Sequence, residues 1–166
     1  MKAKQPIEDL LTELQNLYDN PSDTVHKDYY SKLALLELCG WLELTQDEII
    51  KNYSETKLTE QINKDEIQEL VIGKTYGCDY KNHFRPMLIK LIGFRQTEIL
   101  EANLKAAGFL QILRDQLSSL WALRRRAAHT SFAGVTLTFQ APSSMKTYLN
   151  SLHPILTFVE TELNVL

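Results

Sequence analysis

Cysteine is scarce in this chain of 166 residues, with Cys39 and Cys78 alone, and so are glycine, at six, and proline, at five. Two cysteines exclude a disulfide framework, and neither has a CxxC neighbour or a paired histidine that would build a zinc site. So few chain breakers argue against a turn-rich sandwich or barrel. No stretch approaches the roughly 20 uncharged apolar residues of a membrane span. The opening Met1-Lys2-Ala3-Lys4-Gln5-Pro6-Ile7-Glu8-Asp9 turns acidic before any apolar run long enough for a signal peptide. A large charge of one sign is also missing: 18 Lys and Arg stand against 21 Asp and Glu, a net charge of −3. No global basic field draws in nucleic acid or an anionic membrane, so a nucleic-acid site has to be local. The expectation is a reduced, cytoplasmic protein with no membrane partner.

What is present is apolar residues at helical spacing. Hydrophobic residues make up 44% of the chain, enough for a substantial core. Ile7, Leu10, Leu11, Leu14 and Leu17 predict a first helix from Pro6 to near Asn20, with Glu8 and Asp9 in its dipole-favoured first turn. Ser22-Asp23-Thr24 caps a long second helix from about Val25 to Tyr53. Gly40 and the capping-box-like Thr45-Gln46-Asp47-Glu48 offer a joint inside it, but Leu38, Trp41, Leu42 and Ile49 keep one stripe across that joint, so one continuous helix is expected. A shorter helix carries Ile62, Ile67, Leu70 and Val71 and stops at Gly73. Tyr76 to His83 reads as a loop, and Pro86 opens a helix through Ile92 toward Leu100.

Phe109 to His129 forms a strong helix, Val135, Leu137 and Phe139 alternate like a strand or an extended connector, and Met145 to Leu163 closes the chain with a helix that Pro154 should kink. No repeat, linker or composition shift divides residues 1–166. The fold class expected is therefore all-α: a single domain of five to six helices with a short extended connector before the last.

Chemistry is sparse. The four histidines, His26, His83, His129 and His153, include no pair spaced i+3 or i+4 for a metal, and no glycine-rich phosphate loop or GxSxG elbow occurs. No metal and no cofactor is expected. Cys78 and His83 share a loop, where a Cys-His catalytic reading competes with two ordinary loop residues. The informative stretch is Arg124-Arg125-Arg126-Ala127-Ala128-His129. The apolar positions 113, 117 and 120, extended by three and four, reach 124 and 127, so Arg124 falls on a packing face. A guanidinium there needs an anion or a polar cleft. Alternatively the three arginines complement the dipole of the helix's last turn while their stems cover apolar surface.

At 100° per residue, positions five apart lie about 140° from each other, so Arg124 and His129 converge only at a helix end or across two subunits. Ser131, Ala133 and Gly134 suggest that the helix ends just past His129. A twofold packing would bring two Arg and two His together around a cationic cleft suited to a phosphodiester. Glu43 and Asp47, one turn apart on the second helix, either orient Arg124 or His129 or form a solvated face.

Arg124-Arg125-Arg126-Ala127-Ala128-His129 resembles the motif of the HEPN family. These are all-α domains whose ribonuclease members carry Arg, four to six residues, then His near the end of a long helix, followed by one more helix. The order of elements, from Cys39-Gly40-Trp41-Leu42-Glu43 through Gly134-Val135-Thr136-Leu137-Thr138-Phe139 to the closing helix, is similar to small stand-alone bacterial members of defence or toxin type. The chain departs at Arg125, where the family usually has Asn, Asp or His. The resemblance implies metal-independent cleavage of RNA at a homodimer interface, with His129 as general base or acid and Arg124 stabilising the phosphorane. Arg125, Arg126 and Thr130 would be substrate contacts, and an antitoxin or defence-system protein a partner. Two other readings compete: a non-catalytic HEPN dimer that binds RNA or nucleotide or serves assembly, which Arg125 favours, and a helical interaction domain whose arginines only cap a helix.

Overall fold

The computed structural model describes residues 1–129 and 138–166, apart from the side chains of Thr24 and His129. Its described residues form an all-α bundle of six helices and two short π-type turns. The helices are α1 (Gln5–Asp19), α2 (Thr24–Lys57), α3 (Gln61–Glu66), α4 (Arg85–Ala106), α5 (Phe109–His129) and α6 (Pro142–Val165).

The 34-residue α2 is the axis of the bundle. Asp23 caps it, its side chain accepting from the Val25 N–H at 3.3 Å. It passes Gly40 and Thr45-Gln46-Asp47-Glu48 without a break, and Leu35, Leu38, Leu42, Ile49 and Ile50 keep one broad buried face along that stretch. α1, α5 and α6 pack against it, and α4 touches it. From α5, Leu113, Leu117 and Leu120 enter the core; from α6, Met145, Leu149, Leu152, Leu156 and Val159 do so. Burying each such side chain stabilises the fold by about 1.5–3 kcal/mol before conformational entropy is subtracted. α6 runs unbroken through Pro154, which sits on its solvent face.

Two regions differ from the sequence-based expectation. α3 passes directly into a π-type turn at Ile67–Ile72, closed by the Gly73 N–H on the Gln68 carbonyl at 2.9 Å. The second half of the expected loop, Tyr80–Phe84, is likewise a π-type turn continuous with α4, with the Phe84 N–H on the Asp79 carbonyl at 3.1 Å. Asp79 explains the difference: its carboxylate accepts from the Asn82 N–H at 2.7 Å and starts the turn that the loop-forming residues around it concealed. α4 then extends beyond Leu100 to Ala106, with a kink at Gly93, whose φ of +76° favours glycine. Most of the strand-like segment, Val135 and Leu137 included, lies outside the described residues; residues 138–140 have no regular structure.

Candidate functional site

α5 brings Arg124 to its last turns on the same side as Leu113, Leu117 and Leu120, so the guanidinium arrives at the packing face as the spacing requires. The anion that this placement demands is Glu43 of α2. Arg124 Nη1 lies 3.2 Å from Glu43 Oε1, and Nη2 donates to Oε2 at 3.3 Å. The pairing is fork to fork but uneven, since Oε1 is buried and has no aligned donor among the described residues. The two side chains are 32% and 23% exposed, which places the pair between a surface bridge and a fully buried one.

The helix that carries Arg124 also supplies a platform for it. Trp121, three residues earlier, lies under the guanidinium, with Cζ 5.2 Å from the ring centroid. The same indole meets the His83 imidazole edge to face, at 4.8 Å between centroids and 78° between planes. His83 is fixed from a second direction, because its Nδ1 accepts the Asp79 N–H at 3.1 Å. Asp79 and His83 thus cap each other's segment, as a carboxylate and a helix-start N–H do in a capping box.

Gly77 makes this closeness possible. Its φ is +133°, and a Cβ there would stand 2.5 Å from His83 Cε1 and 2.9 Å from Trp121 Cη2. Gln46 ties α2 to the same strip of chain through its side-chain N–H on the Cys78 carbonyl at 3.0 Å.

The carboxyl groups of α2 respond to this setting. Burial pushes Glu43 above its ordinary value, and the Arg124 charge holds it back. Asp47, one turn on, has no hydrogen bond or ion pair among the described residues; burial and the neighbouring charge of Glu43 raise it to about 6. Neither acid is a freely solvated side chain. Burial lowers His83, partly opposed by Asp79 and reinforced by Arg124. The Cys78 thiol is pushed far up by its hydrogen bond with Cys39 and by burial, so it stays protonated and a Cys-His nucleophile pair has no thiolate to work with.

Of the residues singled out in the sequence, Arg124, Glu43 and Asp47 are gathered at one place. Arg125 and Arg126 project into solvent from the next positions of α5. His129 is the last residue of α5, but its side chain lies outside the described residues, as does the whole of Thr130. Trp121 and His83 were missed as site residues. Trp121 counts as one more apolar position of the stripe, although its place three residues before Arg124 was visible. His83 reads as an ordinary loop residue until its Nδ1 is seen to accept the Asp79 N–H.

A second cleft, of about 600 Å³, opens beside this site between segment 79–82 and α5, lined by Lys81, Asn82, Arg85, Gln111, Arg114 and Ser118 among others. Behind it Glu101 accepts from Arg85 Nε at 2.9 Å, Arg114 Nη2 at 2.8 Å and the Tyr80 hydroxyl at 2.9 Å. Although burial works against it, those donors hold Glu101 below its ordinary value. This network joins α4 to α5.

Among the described residues no helix is long and apolar enough to cross a membrane, and no three His, Cys, Asp or Glu side chains gather closely enough to hold a metal ion. The chain matches no protein-family profile, no curated protein and no solved structure.

Proposed function

We propose that the chain is a metal-independent endoribonuclease of HEPN type, working as a cytoplasmic homodimer with RNA as its substrate. The observation that carries this reading is Arg124: a guanidinium held at the end of a long helix by Glu43 and Trp121, five residues before a histidine that closes the same helix. Such a group offers fixed, permanently charged donors to phosphate oxygens. Glu43 accepts one of its N–H groups, from Nη2, and leaves the others to a substrate. In the reaction His129 takes the proton of a ribose 2′-hydroxyl as that oxygen attacks phosphorus. The P–O5′ bond breaks, and the leaving oxygen receives a proton from His129 of the second subunit, while Arg124 stabilises the charge on the phosphorane. The products are a 2′,3′-cyclic phosphate and a 5′-hydroxyl. A toxin or antiphage-defence role, with an antitoxin as partner, follows from the resemblance to the family.

The runner-up is a non-catalytic dimer that binds RNA or nucleotide or serves assembly. The engagement of Arg124 with Glu43 favours it, as does Arg125 in a position the family usually gives to a smaller polar residue. Purified Arg124→Ala and His129→Ala variants, assayed on RNA in the presence of a chelator, separate the two. The nuclease reading expects both to lose cleavage that the native protein shows. Cleavage persisting in both variants makes the motif structural, and loss of native cleavage on chelation contradicts the metal-free step.

A further inference from the structure

We propose that His83 is a third catalytic group of the Arg124 site, a neutral imidazole whose Nε2–H donates to the phosphate that Arg124 holds. The proposal rests on the ribonuclease reading for its substrate, and on the following geometry for its residue. In a neutral imidazole one nitrogen is a donor and the other an acceptor. Nδ1 accepts the Asp79 N–H at 3.1 Å, which assigns the ring proton to Nε2. Nε2–H makes no hydrogen bond among the described residues, although the ring is half-buried.

The placement of the ring is over-determined. Asp79 holds one edge, Trp121 packs against it at 4.8 Å, and Gly77 passes so closely that even a methyl group would collide with it. Capping Asp79 requires only an acceptor, which Asn or Gln supplies; it does not require a ring pressed against the indole that Arg124 covers. Arg124 and His83 are thus two donors fixed on one tryptophan, one charged and one neutral. Burial and the nearby charge of Arg124 both oppose protonation of the imidazole, which keeps the ring neutral beside the cation. A neutral donor adds stabilisation to a developing phosphorane without adding a second cation to a site that already contains one.

The test uses two substitutions that divide the imidazole's two functions. Asn places its carbonyl oxygen near Nδ1 and keeps the cap on Asp79, but has nothing at Nε2. Gln places an amide N–H near Nε2. The donor role expects His83→Asn to lose about 10²–10³ in cleavage rate with its thermal midpoint retained, and His83→Gln to lose clearly less. The reverse order, or equal losses that follow thermal stability, overturns the proposal and makes His83 a cap.

A second readout does not depend on cleavage. Histidine ¹⁵N spectra should show His83 as the Nε2–H tautomer, and inorganic phosphate should shift its Nε2 resonance in the native protein but not in Arg124→Ala. The opposite tautomer, no shift, or a shift indifferent to Arg124→Ala contradicts the proposal. Should the native protein cut no RNA at all, the ribonuclease reading falls, while the phosphate titration still decides whether His83 and Arg124 share an anion.

Discussion

Arg124 of α5 and Glu43 of α2 meet fork to fork across the helix interface, 3.2 and 3.3 Å apart at their two contacts. The pair explains how a guanidinium is tolerated on a stripe whose other members are leucine and alanine, and it fixes the direction in which the remaining N–H groups point. Removing one partner leaves the other half-desolvated, and that asymmetry is measurable.

Arg124→Gln should destabilise the protein by about 1–2 kcal/mol, a figure reduced from that of a fully buried pair because solvent screens these side chains. Glu43, already raised by burial, then loses the charge that holds it down. Glu43→Gln in the same chain should recover part of the loss. Urea denaturation of both single variants and the double variant gives the coupling energy, and a value near zero means that the contact contributes nothing.

Asp47 makes stability depend on pH. Its folded value of about 6 lies above its ordinary 3.8, so the folded state binds its proton more tightly than the unfolded chain does. The favourable contribution is therefore complete at low pH and is lost as pH rises through the interval from about 4 to about 6. Asp47→Asn mimics the protonated group. It should be neutral near pH 4 and stabilising by about 1–2 kcal/mol at pH 8, after allowance for the half-exposed position. Thermal melts of the two proteins across that range check this; a pH-independent difference contradicts it.

Gly77 and Gly40 should respond to alanine with opposite signs. At Gly77 the positive φ and the collision with His83 and Trp121 predict a loss of about 2–3 kcal/mol, together with a changed near-ultraviolet circular dichroism from the displaced indole. At Gly40, inside α2 with nothing within 4 Å of a Cβ, alanine should add about 0.5–1 kcal/mol of stability. Equal effects at the two positions would mean that the backbone at Gly77 has room for a methyl group.

Much of the fold is legible because helices announce themselves through spacing. The extent of α5, Phe109–His129, follows from the recurrence of Leu113, Leu117 and Leu120, carried on to positions 124 and 127. The continuity of α2 follows from a stripe that crosses Gly40. The π-type turns were illegible for a physical reason: each inserts one residue into the helical period, and around Tyr80 the neighbouring Gly77, Asp79 and Asn82 carry turn-forming chemistry. The site was half legible. Arg124 betrayed itself as a charge among leucines, and Glu43 was one of two acids offered for it. His83 is 41 residues away from Arg124 in sequence, and only the reciprocal cap with Asp79 brings it to the same tryptophan.

The chemistry of the cut ends tests the 2′-hydroxyl mechanism. RNA incubated with the purified protein and excess chelator should yield fragments with a 2′,3′-cyclic phosphate on one side and a 5′-hydroxyl on the other, resolved by mass spectrometry. Those ends report attack by the ribose 2′-oxygen, the step assigned to His129 and Arg124. Fragments bearing a 5′-phosphate and a 3′-hydroxyl, or cleavage that appears only when a divalent cation is restored, would contradict it.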